Sequence, residues 1–541
     1  MTDITKLSAV ALAIALSACA RPTGDRLSTG VEAPAAPHGA TSLTGGPPGN
    51  AQAGRDVFRF ETFGNEGFWT DAMRLPQGMM QEKVTLLQLL ETGFHVDAEA
   101  LDGALRQALA AELKTDLSAA RAPQLNDPAV ALKVVEANAL IGIVPKDSNR
   151  DGAIDLRRFD KVGVSCAICH TTTDGSVGEL AGKGSIGRRL DGRATYSLDM
   201  GKALAMAANS RAYYPNLQLE LGGKTIGPAP RGIRRDSTEA EVDAYLKNPR
   251  FYPRGTFDET QDGIGNPVQN TPLFRQDLAG PYGSNGLHEK LEGISNASYT
   301  TNLDPTSLAT PEGRELLMTL AGKNGEELHA NYVHILAETG VKGYPFVQAS
   351  TGHKVGHRDT PTGRQVDMVK LLDMKAYLHS LPAPPGTTVD AAAAGRGRAL
   401  FQANCTQCHN ADPGQHVPTK LVALKQLWPG YAPARLAERK PPLSPIENSP
   451  GGFDDKMVVI DASERGEVRG VSLPLLLDLA RKPAFLHDNS VPTMDSLLNP
   501  SRGATEPHPF YLSDKAQRDD MVAFLRGLGA GGAPSSSEST R

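Results

Sequence analysis

The sequence predicts a mostly α-helical chain of two modules in series, with long irregular loops and a large insertion in the first module. Three observations carry that expectation. Aromatic residues are sparse, with two Trp in 541 residues, while 55 Gly and 39 Pro mark turns and loops rather than broad sheets. One short motif, Cys-x-x-Cys-His, occurs twice, at Cys166–His170 and at Cys405–His409. Well after each copy comes a short amphipathic stretch, Val369–Leu381 and Met521–Leu528, which reads as a closing helix.

Composition narrows the function classes. With 40% hydrophobic and 22% charged side chains, the chain can bury real cores and is not of the disordered class. The formal net charge is −5, so no global basic field argues for nucleic acid. The five cysteines fall at Cys19, Cys166, Cys169, Cys405 and Cys408, and none is scattered.

Along the chain, Ser8 to Ala18 form an apolar run of about ten residues, half of what a bilayer span needs. Lys6 precedes it and Leu16-Ser17-Ala18-Cys19 ends it. This pattern resembles the lipobox of bacterial lipoprotein signal peptides. The resemblance implies a signal peptide over 1–19, a lipid on Cys19 and anchoring on the periplasmic side, with Ala20 pointing to the outer membrane. An ordinary cleaved signal peptide is the alternative, and it too exports the chain. Residues 20–52 are rich in Pro, Gly, Ala and Ser and read as a flexible linker, and 531–541 as a disordered tail. Between them lie an N-terminal module, 53–384, and a C-terminal module, 385–530.

The two motifs carry the chemistry. Two thiols three positions apart reach the two vinyl groups of one haem, and the adjoining histidine presents its imidazole to the iron. Cys166, Cys169 and His170 form one such site, and Cys405, Cys408 and His409 the other. A four-Cys zinc site would not explain a histidine after both pairs, and a redox dithiol would need one pair, not two. The chain therefore reads as two cytochrome c-like modules holding two covalent haem c groups. Before the second motif, Gly397-Arg398-Ala399-Leu400-Phe401 starts a helix whose Phe lies one turn before Cys405. Ser513 or Asp514 is positioned to cap the last helix, and Pro382 to stop the helix that closes the first module. About 240 positions separate His170 from His409, where a simple module of this kind needs about a hundred residues.

A second metal site has a weaker signal. Asp147, Asn149, Asp151 and Asp155, with Gly152 at the turn, copy positions 1, 3, 5, 9 and 6 of a calcium loop. Position 12 is Arg158, where a bidentate Glu is expected. An Asp/Asn/Gly turn without Ca2+ is the alternative.

The segment Ser472 to Leu498, with Phe485-Leu486-His487-Asp488-Asn489-Ser490 at its centre, resembles the signature of the bacterial di-haem cytochrome c peroxidase superfamily. Asn489 stands where that superfamily has Gly. Gly54-Arg55-Asp56-Val57-Phe58 is similar to its opening helix, and Val164–His170 to its first haem motif. About a hundred residues separate those two elements here, which looks more like the rubber-oxygenase-like branch than a standard peroxidase. The resemblance covers about a third of the chain. It implies one electron-transfer haem, one haem that activates hydrogen peroxide or dioxygen, and a homodimer as the common assembly.

The axial ligand opposite each motif histidine decides which haem is which. For the second haem the candidates are His508, just before the closing helix, and, less favoured, Met494, which occupies a core slot of the signature. For the first haem they are His357 and His353, in Gly352-His353-Lys354-Val355-Gly356-His357. His487 reads as structural. His38, His95, His288, His329, His334, His379 and His416 read as solvated or core histidines, and Trp69 and Trp428 as core. The expected function is an exported di-haem c-type oxidoreductase, with a non-enzymatic di-haem electron carrier of a respiratory chain as the alternative. Its redox partner would be a cytochrome, a cupredoxin or a quinol-linked donor.

Overall fold

In the computed structural model the described residues are 49–412 and 470–529, apart from 159, 227–230, 259–260, 264, 266, 284–287 and 487–488. Between 413 and 469 they are 414–415, 421–423, 427 and 429. Cys19, His38, His416, Trp428, His487, the signal peptide and the tail lie outside the described residues.

Two helix pairs of the same design frame the molecule. The first opens with Ala51–Phe60, whose start is fixed by the Asn50 side chain accepting from the Gln52 and Ala53 amides. The linker expected over 20–52 therefore ends two residues early, because this cap recruits Ala51 and Gln52 into the helix. Its partner is Met368–Ser380, capped by Asp367 and stopped before Pro382, where the preceding residue is pushed to an extended conformation. The second pair is Ala391–Asn404, capped by Asp390, and Lys515–Gly527, capped by Asp514. A short connector joins the two pairs, because Asp390 starts the next helix at Ala391.

Each pair closes through a glycine. A Cβ on Gly54 would stand 1.8 Å from the Asp373 carbonyl oxygen, and one on Gly397 would stand 2.0 Å from that of Asp520. One turn on, Phe58 packs on Tyr377 with ring centroids 5.8 Å apart, and Phe401 packs on Phe524 at 5.3 Å. Gly54-Arg-Asp-Val-Phe58 and Gly397-Arg-Ala-Leu-Phe401 are therefore one structural repeat: glycine lets the helices touch, and the aromatic ring fills the gap beside them. A side chain as large as Phe58 or Phe401 contributes about 2–3 kcal/mol when fully buried.

Three apolar clusters follow from this layout. One is built from 57–378 around the first helix pair and includes Val57, Phe58, Tyr299, Leu371 and Met374. Another comes wholly from 401–528, with Phe401, Phe485, Met494, Met521 and Phe524. The largest belongs to the inserted residues 68–341 and packs Phe68, Trp69, Leu89, Tyr213, Tyr252 and Tyr332. The insertion thus has a core of its own. The described residues are mainly helical, and their strands are short, joined in two-stranded sheets and one three-stranded sheet. Among the described residues no helix is long and apolar enough to cross a membrane.

Local structure aims the first motif. The hairpin of Ile143–Lys146 and Lys161–Val164 delivers the chain to Cys166, in register Ile143 to Val164. Asn65 clamps its end, accepting from the Val164 N–H at 2.9 Å and donating to the Val164 carbonyl at 2.8 Å. Ala167–His170 is a single helical turn, and Thr171–Thr173 then pairs with Arg189–Asp191.

Candidate haem-attachment sites

At the first motif, the side chains of His170 and Cys166 are met by residues far along the chain. His170 donates its Nδ1–H to the Thr271 carbonyl at 2.8 Å, which fixes the tautomer and leaves Nε2 with its lone pair. The Cys166 sulfur lies 3.4 Å from the Tyr299 hydroxyl, which also donates to the Glu61 carbonyl. Tyr299 in turn meets Phe63 edge-on at 4.6 Å. Cys169 packs against the large apolar cluster that includes Tyr213 and Tyr252. Beside His170, the carboxylate of Asp191 accepts from Arg59 at 2.6 Å, from Tyr377 at 2.6 Å and from Thr171 at 3.0 Å.

The second motif closes within its own module. Cys405 follows directly on the opening helix, and its carbonyl accepts from the His409 N–H at 2.9 Å. The imidazole of His409 faces that of His508, with ring centroids 6.4 Å apart and planes inclined by 48°. Two imidazoles on opposite sides of one metal, with metal–nitrogen bonds of about 2 Å, have centroids about 6.3 Å apart. His508 is held by its N–H to the Leu427 carbonyl at 2.7 Å and sits in the left-handed region at φ 54°, an unusual backbone state for a histidine. Met494 is buried in the apolar cluster, so it packs. The Nδ1 atoms of His409 and His508 are buried without partners, so neither ring is oriented as Thr271 orients His170.

Electrostatics fit a metal-bound haem. Burial pulls His170 and His409 down to about 4 and His508 to about 3, so all three imidazoles are neutral at pH 7, as a ligand must be. Burial pushes Cys169 up to about 12 and Cys405 to about 11. Reactive dithiols have lowered values instead. Among the described residues no three His, Cys, Asp or Glu side chains form a group that could hold an ion.

His353 and His357 occupy the 350–362 hairpin and are engaged there. His353 Nε2 lies 3.1 Å from the Ser350 hydroxyl, and His357 Nδ1 accepts from the Asp359 N–H at 3.2 Å. The described residues show no ring pair between His170 and either one. At the expected calcium loop, Asp147, Asn149 and Asp151 turn their oxygens on the loop's own amides: Asp147 accepts from Gly152 N–H at 2.9 Å and Asn149 from Asp151 N–H at 2.8 Å. Asp155 instead accepts from the Arg157 N–H at 3.0 Å and pairs with Arg158, the residue at position 12. Of the other histidines, His95 is buried between the Ser185 and Ser197 hydroxyls. His288 pairs with Asp359, and His334 with Glu338. Trp69 is buried and donates to the Leu303 carbonyl at 3.1 Å.

A strap links the two sites. Gln269 donates to the Ala484 carbonyl at 3.0 Å and to the Asn489 side chain, and two residues later Thr271 holds His170. Asn489 has φ 61°, a left-handed conformation that Asn tolerates best after Gly.

No known family matches the chain, and no curated protein matches it. Among solved structures it aligns with "Kuenenia stuttgartiensis Hydrazine Synthase Pressurized with 20 bar Xenon", at 15% identity over 50% of this chain and 76% of that one. The TM-score is 0.26, too low to establish a common fold.

Proposed function

We propose that the chain is an exported di-haem c-type oxidoreductase in which the haem at Cys405–His409 passes electrons and the haem at Cys166–His170 activates hydrogen peroxide or dioxygen. The observation that carries this reading is the asymmetry of the two sites. His508 stands opposite His409 at a spacing suited to one metal, whereas no imidazole among the described residues stands opposite His170. Haem c would supply one-electron chemistry at both motifs, and ligand binding where an axial position is open. The chain's own residues do the rest. Thr271 aims His170, and Tyr299 and Phe63 cover the Cys166 side. Phe401, Met494 and Phe524 give the second site an apolar wall. The strap from Gln269 to Thr271 offers a short connected route between the modules.

The segment 472–498, similar to the di-haem peroxidase superfamily, supports an enzyme rather than a carrier. The N-terminal lipobox-like pattern supports a lipid anchor on the periplasmic side, and a small redox protein or a quinol-linked donor is the fitting partner. The test is the pyridine haemochrome spectrum of protein matured in a host that attaches haem c. The reading expects two haems per chain, one after C166A/C169A and one after C405A/C408A. A wild-type protein without covalent haem would end it.

A further inference from the structure

A cavity of about 510 Å³ lies close to the first motif. Phe63 forms part of its wall and also meets the Tyr299 ring edge-on at 4.6 Å. The Tyr299 hydroxyl stands 3.4 Å from the Cys166 sulfur. A chain of contacts thus runs from the cavity to the thiol. Phe63 has φ 49°, a left-handed state that is costly for a bulky side chain, and its carbonyl accepts from the Gln348 N–H at 2.7 Å.

The charges on the cavity wall are committed. Glu61 accepts from the Thr62 and Phe63 amides at 3.0 and 2.8 Å and is ion-paired with Lys370, whose ammonium stands 5.7 Å from the centre of the Phe63 ring. Asp367 accepts from the Val369 and Lys370 amides at 2.9 and 3.3 Å. His353 also lines the cavity. The Ser350 hydroxyl donates to the Gln365 carbonyl at 3.1 Å, and so accepts from the His353 Nε2–H at 3.1 Å. In the neutral ring this leaves Nδ1 as the basic atom.

We infer that this cavity binds a small neutral phenol, whose electron passes through Phe63 and Tyr299 to Cys166 and the first haem. The inference rests on the functional reading above, with hydrogen peroxide as the oxidant, and adds an entry for electrons independent of the second haem. The volume falls in the range of small-molecule sites. Glu61 and Lys370 neutralise each other and Asp367 is taken up by helix amides, so the wall favours neither a strong anion nor a strong cation. A phenol gives up an electron readily only when its proton leaves as well, and His353 is the acceptor at hand. The phenol O–H bond breaks, the proton goes to His353 Nδ1 and on to solvent, and the electron leaves towards Cys166. Two phenols and one hydrogen peroxide, whose O–O bond breaks, thus give two phenoxyl radicals and two waters.

The experiment uses the full-length, haem-loaded protein with 2-methoxyphenol as probe. Binding is read by calorimetry without peroxide, and A349W fills the cavity from its wall. The wild type is expected to bind the phenol and A349W to lose at least about tenfold in affinity, the scale of a blocked small-ligand site. With peroxide added, H353Q is expected to keep the affinity and to slow phenoxyl formation by about a hundredfold, the scale of a positioned base. Y299F, which loses the contact with the Cys166 sulfur, is expected to keep the affinity and slow it too. His353 is exposed, so H353Q guards against a folding failure in A349W. No binding by the wild type, or equal binding by A349W, would overturn the cavity as the site. Unslowed turnover in H353Q or Y299F, with haem content intact, would overturn the route. Each of these results leaves the di-haem reading standing, whereas a wild-type protein that lacks haem at Cys166 and Cys169 would overturn that reading itself.

Discussion

The second motif is completed by its own module: Phe401, Met494, His508 and Phe524 all lie within the C-terminal part of the chain. The first motif is carried by an equivalent helix pair, with Gly54 and Tyr377 in the places of Gly397 and Phe524. It is completed by distant residues: Thr271 for His170 and Tyr299 for Cys166. Among the described residues, the same frame thus carries a motif histidine with a second imidazole near it in one module and none in the other. Apolar surroundings and two strong ligands suit electron transfer, while donors around an open position suit ligand chemistry. On the proposed function, that difference puts the reactive haem at the first motif rather than the second.

Substitutions can break this contrast, and the largest effect is expected at His508. H508A should convert the second site from low to high spin, read by the loss of one low-spin EPR signal, with the first site unchanged. An unchanged spectrum would remove His508 from the iron. Next comes Asp191, which ties Arg59, Tyr377 and Thr171 together beside His170 and has no counterpart among the described residues of the second module, where Phe524 takes the place of Tyr377. Its side chain is 3% exposed. D191A leaves a largely buried guanidinium unpaired and is expected to cost about 3 kcal/mol in denaturant unfolding.

The third effect is a pH dependence that vanishes at neutral pH and arises within the insertion. Burial between two serines pulls His95 from its ordinary value to about 4. Its folded form therefore binds fewer protons than its unfolded form between about pH 6.5 and 4. The stability it confers is full above about pH 6.5 and is lost as pH falls towards 4, by up to about 3 kcal/mol. Unfolding of H95Q should show a flatter acid limb than that of the parent, and parallel limbs would refute the assignment.

Much of the frame could be read from sequence because it is local. Asp390 and Asp514 as caps, Pro382 as a stop and the spacing of Gly397 from Phe401 act within a turn or two of themselves. Gly54-Arg-Asp-Val-Phe58 and Gly397-Arg-Ala-Leu-Phe401 become a repeat only in the structure, where the helices touch at the glycines and an aromatic ring packs one turn on. His508 stands out in the sequence by its place before the closing helix, but its approach to His409 depends on a left-handed backbone that no propensity announces. The surroundings of the first motif were the least legible. Thr271 acts through a backbone carbonyl, which carries no side-chain signal. Tyr299 lies in a stretch whose meaning comes only from tertiary burial. Asp191 read as one carboxylate among many until Arg59 and Tyr377 converged on it.

The most direct measurement is EPR of the haem-loaded protein, fully ferric and then half-reduced. One low-spin signal from the His409–His508 site and one high-spin signal from the His170 site are expected in at least one of the two states. Two low-spin signals that persist after half-reduction would mean that both irons are capped, and the protein would then be an electron carrier rather than an enzyme.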